Sequence, residues 1–283
     1  MRVDDLLAQG LCRSFEFFPP KNDDEATALS AAITELADLA PSFVSVTYRG
    51  GRESRQRTFD LVSSIEHTAG IPAMAHLICV GHTRAEMSEI LANYVDDGIH
   101  NIMALGGDIP SDPALQGGDF VHAIELVELA RSVGEFSVGV AAHPLGHPRS
   151  PSLESDRKYL AEKMRLADFA VTQFFFDVVE WQRLVDDLDA LGVRKPVVPG
   201  IMPVTTLSGA ARMADMGAAV PGWLMERLTA VKDQGPAAVR QVGIEAATEL
   251  CRELLAAGAP GLHFYTLNRS TATREIHARL FPH

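Results

Sequence analysis

Eight short apolar runs, rich in β-branched and aromatic residues and mostly separated by amphipathic stretches of helical period, predict an α/β fold of the closed (β/α)₈ barrel (TIM barrel) type. Strand-like runs alternating with helical ones imply parallel pairing, because a parallel neighbour is reached only through a crossover. Eight units in 283 residues match the roughly 250 residues or slightly more of such a barrel. An open doubly wound sheet usually carries fewer. No long linker, low-complexity tract or repeat divides the chain, so residues 1–283 read as a single domain.

The strands are expected at Ser14–Phe18, Phe43–Tyr48, Ala73–Cys79, Asn101–Leu105, Ser137–His143, Phe169–Phe176, Pro196–Met202 and Gly261–Leu267. Pro19-Pro20 stops the first. Asp24–Leu39 places Leu29, Ile33, Leu36 and Ala37 on one side of a helix, and Thr83–Val95 does the same with Met87, Ile90, Leu91 and Tyr94. The Pro/Gly/Ser-rich stretches Gly106–Gly118 and His143–Ser152 read as enlarged loops after strands four and five. The interval before the last strand is the longest. Leu207–Met216, Pro221–Val231 and Ala237–Ala257 supply more than one helix there.

Hydrophobic residues at 47% and charged residues at 22% are the mix of a folded globular protein, not of a disordered chain. The net charge of −12 gives no general attraction to nucleic acid or an anionic membrane, so an anionic ligand needs a local cationic pocket. Three scattered cysteines, Cys12, Cys79 and Cys251, form neither a disulfide framework nor a structural zinc site. Acids at Asp4 and Asp5 stand where a signal peptide needs an apolar core, and no run is long enough to span a bilayer. A soluble protein of the reducing cytoplasm is the expectation.

In a barrel of this kind the carboxyl ends of the strands carry the chemistry. Those ends offer Glu16, then Thr47, Tyr48 and Arg49, then His76, Asp108, His143 and Gln173, and finally Tyr265, Asn268 and Arg269. Any one of them alone marks a strand end; the set points to a site. Glu16 is the sharpest, because a carboxylate between Phe15 and Phe17 is expensive to bury. Facing the barrel mouth, it is expected to have a raised pKa and to hold a proton as a general acid must. The competing reading is an edge strand with Glu16 in solvent. Gly106 and Gly107 allow a ligand close to the backbone before Asp108, which otherwise is a turn carboxylate. Gln173, in an apolar run, wants partners that either a ligand or a neighbouring strand supplies. His143 and His147 are spaced i, i+4, but Pro144 and Gly146 make a zinc-binding helix unfavourable, so no metal is expected. The glycine pairs match neither G-x-G-x-x-G nor a P-loop.

Taken in order, Ser-Phe-Glu16-Phe-Phe-Pro-Pro-Lys, Phe-Val-Ser-Val-Thr47-Tyr48, Ala-His76-Leu, Ala-Leu-Gly-Gly-Asp108-Ile-Pro, Thr-Gln173-Phe-Phe-Phe-Asp, Pro-Gly-Ile-Met-Pro and His-Phe-Tyr265-Thr-Leu-Asn-Arg269 resemble the methylenetetrahydrofolate reductase family, in its short bacterial form, over nearly the whole chain. The resemblance implies reduction of 5,10-methylenetetrahydrofolate to 5-methyltetrahydrofolate, usually through FAD recharged by NADH or NADPH. It implies Glu16 as the proton donor at N10, Asp108 and Gln173 as pterin ligands, Arg269 as a folate ligand, and Tyr265 as a further matching position. Thr47, Tyr48, His76, His147, Asp156 and Lys163 remain at or beside cofactor positions, with Arg49 as an added cation and His143 as a replacement.

The departures concern the flavin. Gly106 stands where the family usually has Arg, His143 where it has Tyr, Tyr159 where it has Asn, and Glu162 where it often has Arg. Replacing two cations by a neutral residue and an acid weakens a site for a pyrophosphate. The expectation is therefore that FAD is lost or weakly held and that nicotinamide donates hydride directly to the folate. An FAD-dependent reductase and a folate-binding barrel without catalysis are the rival readings. Met213 could pack on either ligand, although a core role suits a helical methionine better.

Overall fold

The structure is a computed structural model that describes residues 1–48, 52–108 and 118–282. β1 (Cys12–Phe17), β2 (Phe43–Val46), β3 (Ala73–Ile78), β4 (Asn101–Leu105), β5 (Ser137–Ala142) and β6 (Phe169–Thr172) lie side by side in chain order, all parallel. β7 (Val197–Val198) pairs with β6, while β8 (Gly200–Ile201) pairs with β9 (Gly261–Tyr265), which returns to β1. The wall is a (β/α)₈-type barrel whose seventh stave is split. Pro199 explains the split. It has no N–H for the ladder, and its carbonyl accepts from the His263 N–H at 3.0 Å. The strand expected over Pro196–Met202 is thus two short ones, and the strand expected to run to Phe176 ends at Thr172.

The described α-helices are α1 (Val3–Gln9), α2 (Asp23–Ala37), α3 (Arg52–Ser64), α4 (Arg84–Asp96), α5 (Ala123–Val133), α6 (Leu153–Leu166), α7 (Val178–Ala190), α8 (Leu207–Met216), α9 (Gly222–Ala230), α10 (Pro236–Ala256) and α11 (Thr271–Leu280), with a π-helical turn at Ile65–Ala69 and a 3-10 turn at Lys232–Gln234. Their starts are written locally. Asn22 accepts from the Glu25 N–H, Asp177 from Val179 and Thr206 from Gly209, and Thr83 with Glu86 forms a capping box. The expected α8, α9 and α10 fill the long interval before β9.

Apolar packing comes in three bodies. The largest lies between the wall and the surrounding helices, with Phe15, Phe17, Leu91, Ile102, Val138, Leu184 and Phe264 among its buried members. A second fills the amino-terminal end of the barrel with Phe43, Met74, Met103, Phe169, Val171 and Val198. Val3 and Leu7 of α1, a helix the sequence did not announce, belong to it. The Val3 N–H donates to Asn101 Oδ1 at 2.8 Å and the Asp4 N–H to Ser137 Oγ at 3.0 Å, which satisfies the start of α1 against the barrel floor. That end is sealed. The third body joins α8 and α9 to Phe174, Met202 and Val204, and Met213 is buried within it. Met213 is therefore a core residue. The three cysteines are free and buried, and no helix among the described residues is long and apolar enough to cross a membrane.

Candidate active site

Alternation along β1 turns Phe15 and Phe17 outward into the helix layer and Ser14 and Glu16 inward. The Glu16 side chain is 17% exposed, so the solvent-facing edge-strand reading fails. Two imidazoles approach its carboxylate: His76 Nε2 from β3 and His263 Nε2 from β9, each 3.6 Å from Oε2. These are ion-pair distances, longer than a hydrogen bond. His76 Nε2 is buried and has no hydrogen-bond partner among the described residues. Burial holds the His76 imidazole below its ordinary pKa; the Glu16 charge opposes that shift and His263 reinforces it.

Glu16 sits opposite Tyr265 in the β1–β9 register. Burial, then the Glu16 charge, pushes the Tyr265 phenol well above its ordinary pKa, so it stays a donor. It donates to the Thr172 carbonyl at 2.7 Å, tying the end of β9 to the end of β6. Gly200 makes room for this contact: a Cβ there would lie 2.3 Å from the Thr172 oxygen and 2.6 Å from the Tyr265 ring. The loop after β9 is clamped to β1. Thr266 Oγ1 donates to the Glu16 carbonyl at 2.6 Å, and the Asn268 amide both accepts from the Phe18 N–H and donates to its carbonyl, each at 2.9 Å. Leu267 and Asn268 adopt φ of 51° and 58°, a conformation that asparagine tolerates and leucine does not favour. Arg269 follows, exposed.

Gln173 comes directly after β6, half-buried, with Oε1 accepting from the Phe174 N–H at 2.9 Å. The end of α8 lies over it: a Cβ on Gly217 would be 2.5 Å from Gln173 Nε2. Asp108, three residues after the end of β4, is exposed. Thr47 donates its N–H to the Phe17 carbonyl at 2.8 Å, and the Tyr48 hydroxyl meets His82 Nε2 at 3.4 Å. Arg49 lies outside the described residues.

His143, His147, Asp156 and Lys163 do come together, at the corner between β5 and α6. The two imidazoles meet edge to face with centroids 4.7 Å apart. Burial, reinforced by His147 and countered by Asp156, drives the His143 pKa down to about 4, so the ring is neutral. Asp156 accepts from the His147 N–H and from Ser150 Oγ, both at 3.0 Å, and from Arg157 at 3.1 Å. Arg157 also donates to the His143 carbonyl at 2.9 Å, to the Pro144 carbonyl at 2.6 Å and to Asp187 at 3.1 Å. Lys163 donates to the Ala141 carbonyl at 2.9 Å, and burial, opposed by Asp156, lowers its pKa to about 8. Arg149 reaches the Gly107 carbonyl at 3.1 Å. Asp156 and the neighbouring cations thus hold the corner together, and Tyr159 and Glu162 on α6 are exposed. Each of these three cations is engaged with protein oxygen atoms, Arg157 with four partners and Lys163 and Arg149 with one carbonyl each.

The family model for methylenetetrahydrofolate reductase matches residues 2–281. The chain belongs to the methylenetetrahydrofolate reductase family. It is 37% identical over 265 residues to the 5,10-methylenetetrahydrofolate reductase of Pectobacterium carotovorum, covering 93% of this chain and 88% of the relative. It is 36% identical to that of Escherichia coli over the same shares. Against methylenetetrahydrofolate reductase (NADH) 1 of Arabidopsis thaliana it is 35% identical, over 90% of this chain and 46% of that one. Among solved structures, a Clostridium thermocellum protein that binds two copies of 5-methyl-5,6,7,8-tetrahydrofolic acid has the same fold, with a TM-score of 0.68 at 14% identity, covering 99% of this chain and 97% of that one.

Within this family member, the sequence reading did not single out His263 or Ser14. Their signal was present: alternation along β9 sets His263 on the same face as Tyr265, one layer below, and the register pairs it with Ser14.

Proposed function

We propose that the protein reduces 5,10-methylenetetrahydrofolate to 5-methyltetrahydrofolate, with NADH or NADPH as the electron source. The observation that carries this reading is Glu16, an inward carboxylate largely withdrawn from water on the first strand of a barrel whose other end is sealed. Family membership supplies the substrate class. Glu16 protonates N10 as the five-membered ring opens, and the methylene carbon, left as an iminium at N5, accepts hydride. Gln173 and Asp108 hydrogen-bond the pterin, Tyr265 backs the same site, and exposed Arg269 suits the folate's carboxylates. Positioned general acids of this kind contribute ~10²–10⁴-fold.

Hydride passes from nicotinamide to the folate carbon without a resident flavin. Gly106 and Glu162, standing where the family usually has arginines, support this. The nicotinamide brings the hydride; the chain's part is to hold two ligands in contact and keep water out. Thr47, Tyr48, Arg49, His76, His143, His147, Asp156 and Lys163 are the residues proposed to bind the nicotinamide dinucleotide.

The test is spectral and kinetic. Colourless purified protein that oxidises NADH or NADPH only when methylenetetrahydrofolate is present supports the reading. Yellow protein with stoichiometric FAD, inactive once stripped, refutes direct transfer and leaves the reductase standing. Glu16→Gln is expected to lower kcat by at least ~100-fold. Wild type and Glu16→Gln equally inert, with folate still bound, would make the protein a binding barrel.

A further inference from the structure

We propose that His263, supported by Ser14, is a positioning residue that keeps Glu16 aimed into the barrel mouth in both of its protonation states. The proposal rests on the role given to Glu16 above. His263 is 1% exposed, and its ring is fixed on two sides: it stacks on Phe43 with centroids 6.3 Å apart at 18°, and meets Tyr265 edge-on at 5.3 Å and 89°. A ring held in that plane sends Nδ1 to Ser14 Oγ at 2.8 Å, and Nε2 toward Glu16 Oε2 at 3.6 Å and Ser45 Oγ at 3.5 Å. Packing alone does not call for an imidazole here. An aromatic hydrocarbon would fill the same space without two nitrogens to satisfy.

The support from Ser14 is what makes the arrangement work in both states. Its single hydroxyl proton has two acceptors in reach, His263 Nδ1 at 2.8 Å and the Leu262 carbonyl at 3.4 Å. When Glu16 is ionised, the tautomer with Nε2–H faces the carboxylate, and Ser14 donates to the bare Nδ1. When Glu16 carries a proton, Nε2 is bare toward it, Nδ1–H donates to Ser14, and the serine turns its own proton to Leu262. Either way both ring nitrogens keep a hydrogen-bond partner, Nδ1 in Ser14 Oγ at 2.8 Å and Nε2 in Ser45 Oγ at 3.5 Å, and a small turn of the carboxylate closes the 3.6 Å gap between Nε2 and Glu16 Oε2. His76, on the opposite side of the carboxylate, has an unpartnered Nε2 and no such two-way support at that atom. The Thr266 hydroxyl holds the Glu16 main chain at 2.6 Å, so the remaining freedom of the acid is in its side chain, the part that His263 faces.

Crystal structures and kinetics of Ser14→Ala, His263→Phe and His263→Gln test this. In His263→Phe, which keeps the ring stacking, the Glu16 carboxylate is expected to turn away from His76; a carboxylate left in place overturns the proposal whatever the enzyme's activity. Because orientation is part of the ~10²–10⁴-fold due to a general acid, kcat is expected to fall about tenfold or more in His263→Phe with KM for the folate nearly unchanged. His263→Gln, which restores a polar atom, recovers part of the loss. Combined with Glu16→Gln, His263→Phe adds nothing further, since both act through one group. Independent, multiplying losses overturn the proposal. Should Glu16→Gln turn over at the wild-type rate, the acid role fails, and the position of the carboxylate in His263→Phe still decides what His263 does.

Discussion

Arg157→Ala removes the side chain that holds the β5–α6 corner shut. The guanidinium is 4% exposed and meets Asp156, itself only 10% exposed, at 3.1 Å. It also holds two main-chain carbonyls, of His143 and Pro144, and the half-exposed Asp187. Losing the Asp187 contact costs little, because water replaces the partner. Losing the Asp156 contact leaves a buried carboxylate without its cation, for which ~3–5 kcal/mol is typical. The donors that remain on Asp156, the His147 N–H and Ser150 Oγ, pull the figure toward the lower end, while the stranded carbonyls push it up. A net loss of about 4 kcal/mol, at ~2 °C per kcal/mol for a chain of this size, lowers Tm by roughly 8 °C. Arg157→Lys keeps the charge without the planar fork and should recover less than half of that. Scanning calorimetry of the three proteins measures it. An Arg157→Ala melting within 2 °C of wild type, taken as about 1 kcal/mol, would refute the view that this arginine holds the corner.

The remaining expectations follow from single contacts. Since burial lowers His143 from its ordinary 6.5 to about 4, the unfolded chain takes up a proton in that window that the folded one refuses, and stability is lost as pH falls through it. His143→Gln should therefore flatten the stability profile between pH 6.5 and 4 in denaturant titrations; parallel profiles would contradict the assignment. Gly217→Ala, at φ 135° and with its Cβ 2.5 Å from Gln173 Nε2, must displace that amide or the end of α8. It should raise KM for the folate several-fold, and an unchanged KM would remove Gln173 from the binding site. Gly200→Ala crowds the Thr172 oxygen and the Tyr265 ring. A loss of ~1–3 kcal/mol is expected in urea unfolding, and wild-type stability would show that the wall relaxes freely there.

The barrel was legible because each strand and helix carries its own period and its own stop, as with Pro19-Pro20 after β1 or the Thr83–Glu86 box before α4. The α1 helix was not, because seven residues draw their stability from docking rather than propensity, and its partners Asn101 and Ser137 lie about a hundred residues or more away. Within the site, the expense of burying Glu16 could be read from its two phenylalanine neighbours, whereas the imidazoles that face it come from β3 and β9. The β5–α6 corner shows the limit most clearly. Asp156 and Lys163 stand where the resemblance puts cofactor ligands, yet the choice between binding a ligand and binding the protein depends on Arg157 and Ala141, which only the folded chain brings near.

The seam at Pro199 has a consequence for how the wall behaves. Two segments of two residues each stand where the neighbouring staves have four or five, so the ring is latched there by few main-chain bonds, and such places are the first to open in thermal fluctuation. Gly200 grips Thr172 Oγ1 at 2.9 Å and has no space between Thr172 and Tyr265, so any slack in the latch reaches the binding face directly. The β1–β9 pair, in full register from Cys12 to Glu16, has no such slack. Glu16 thus stands on a fully paired stave, whereas Thr172 and Tyr265 border the split one.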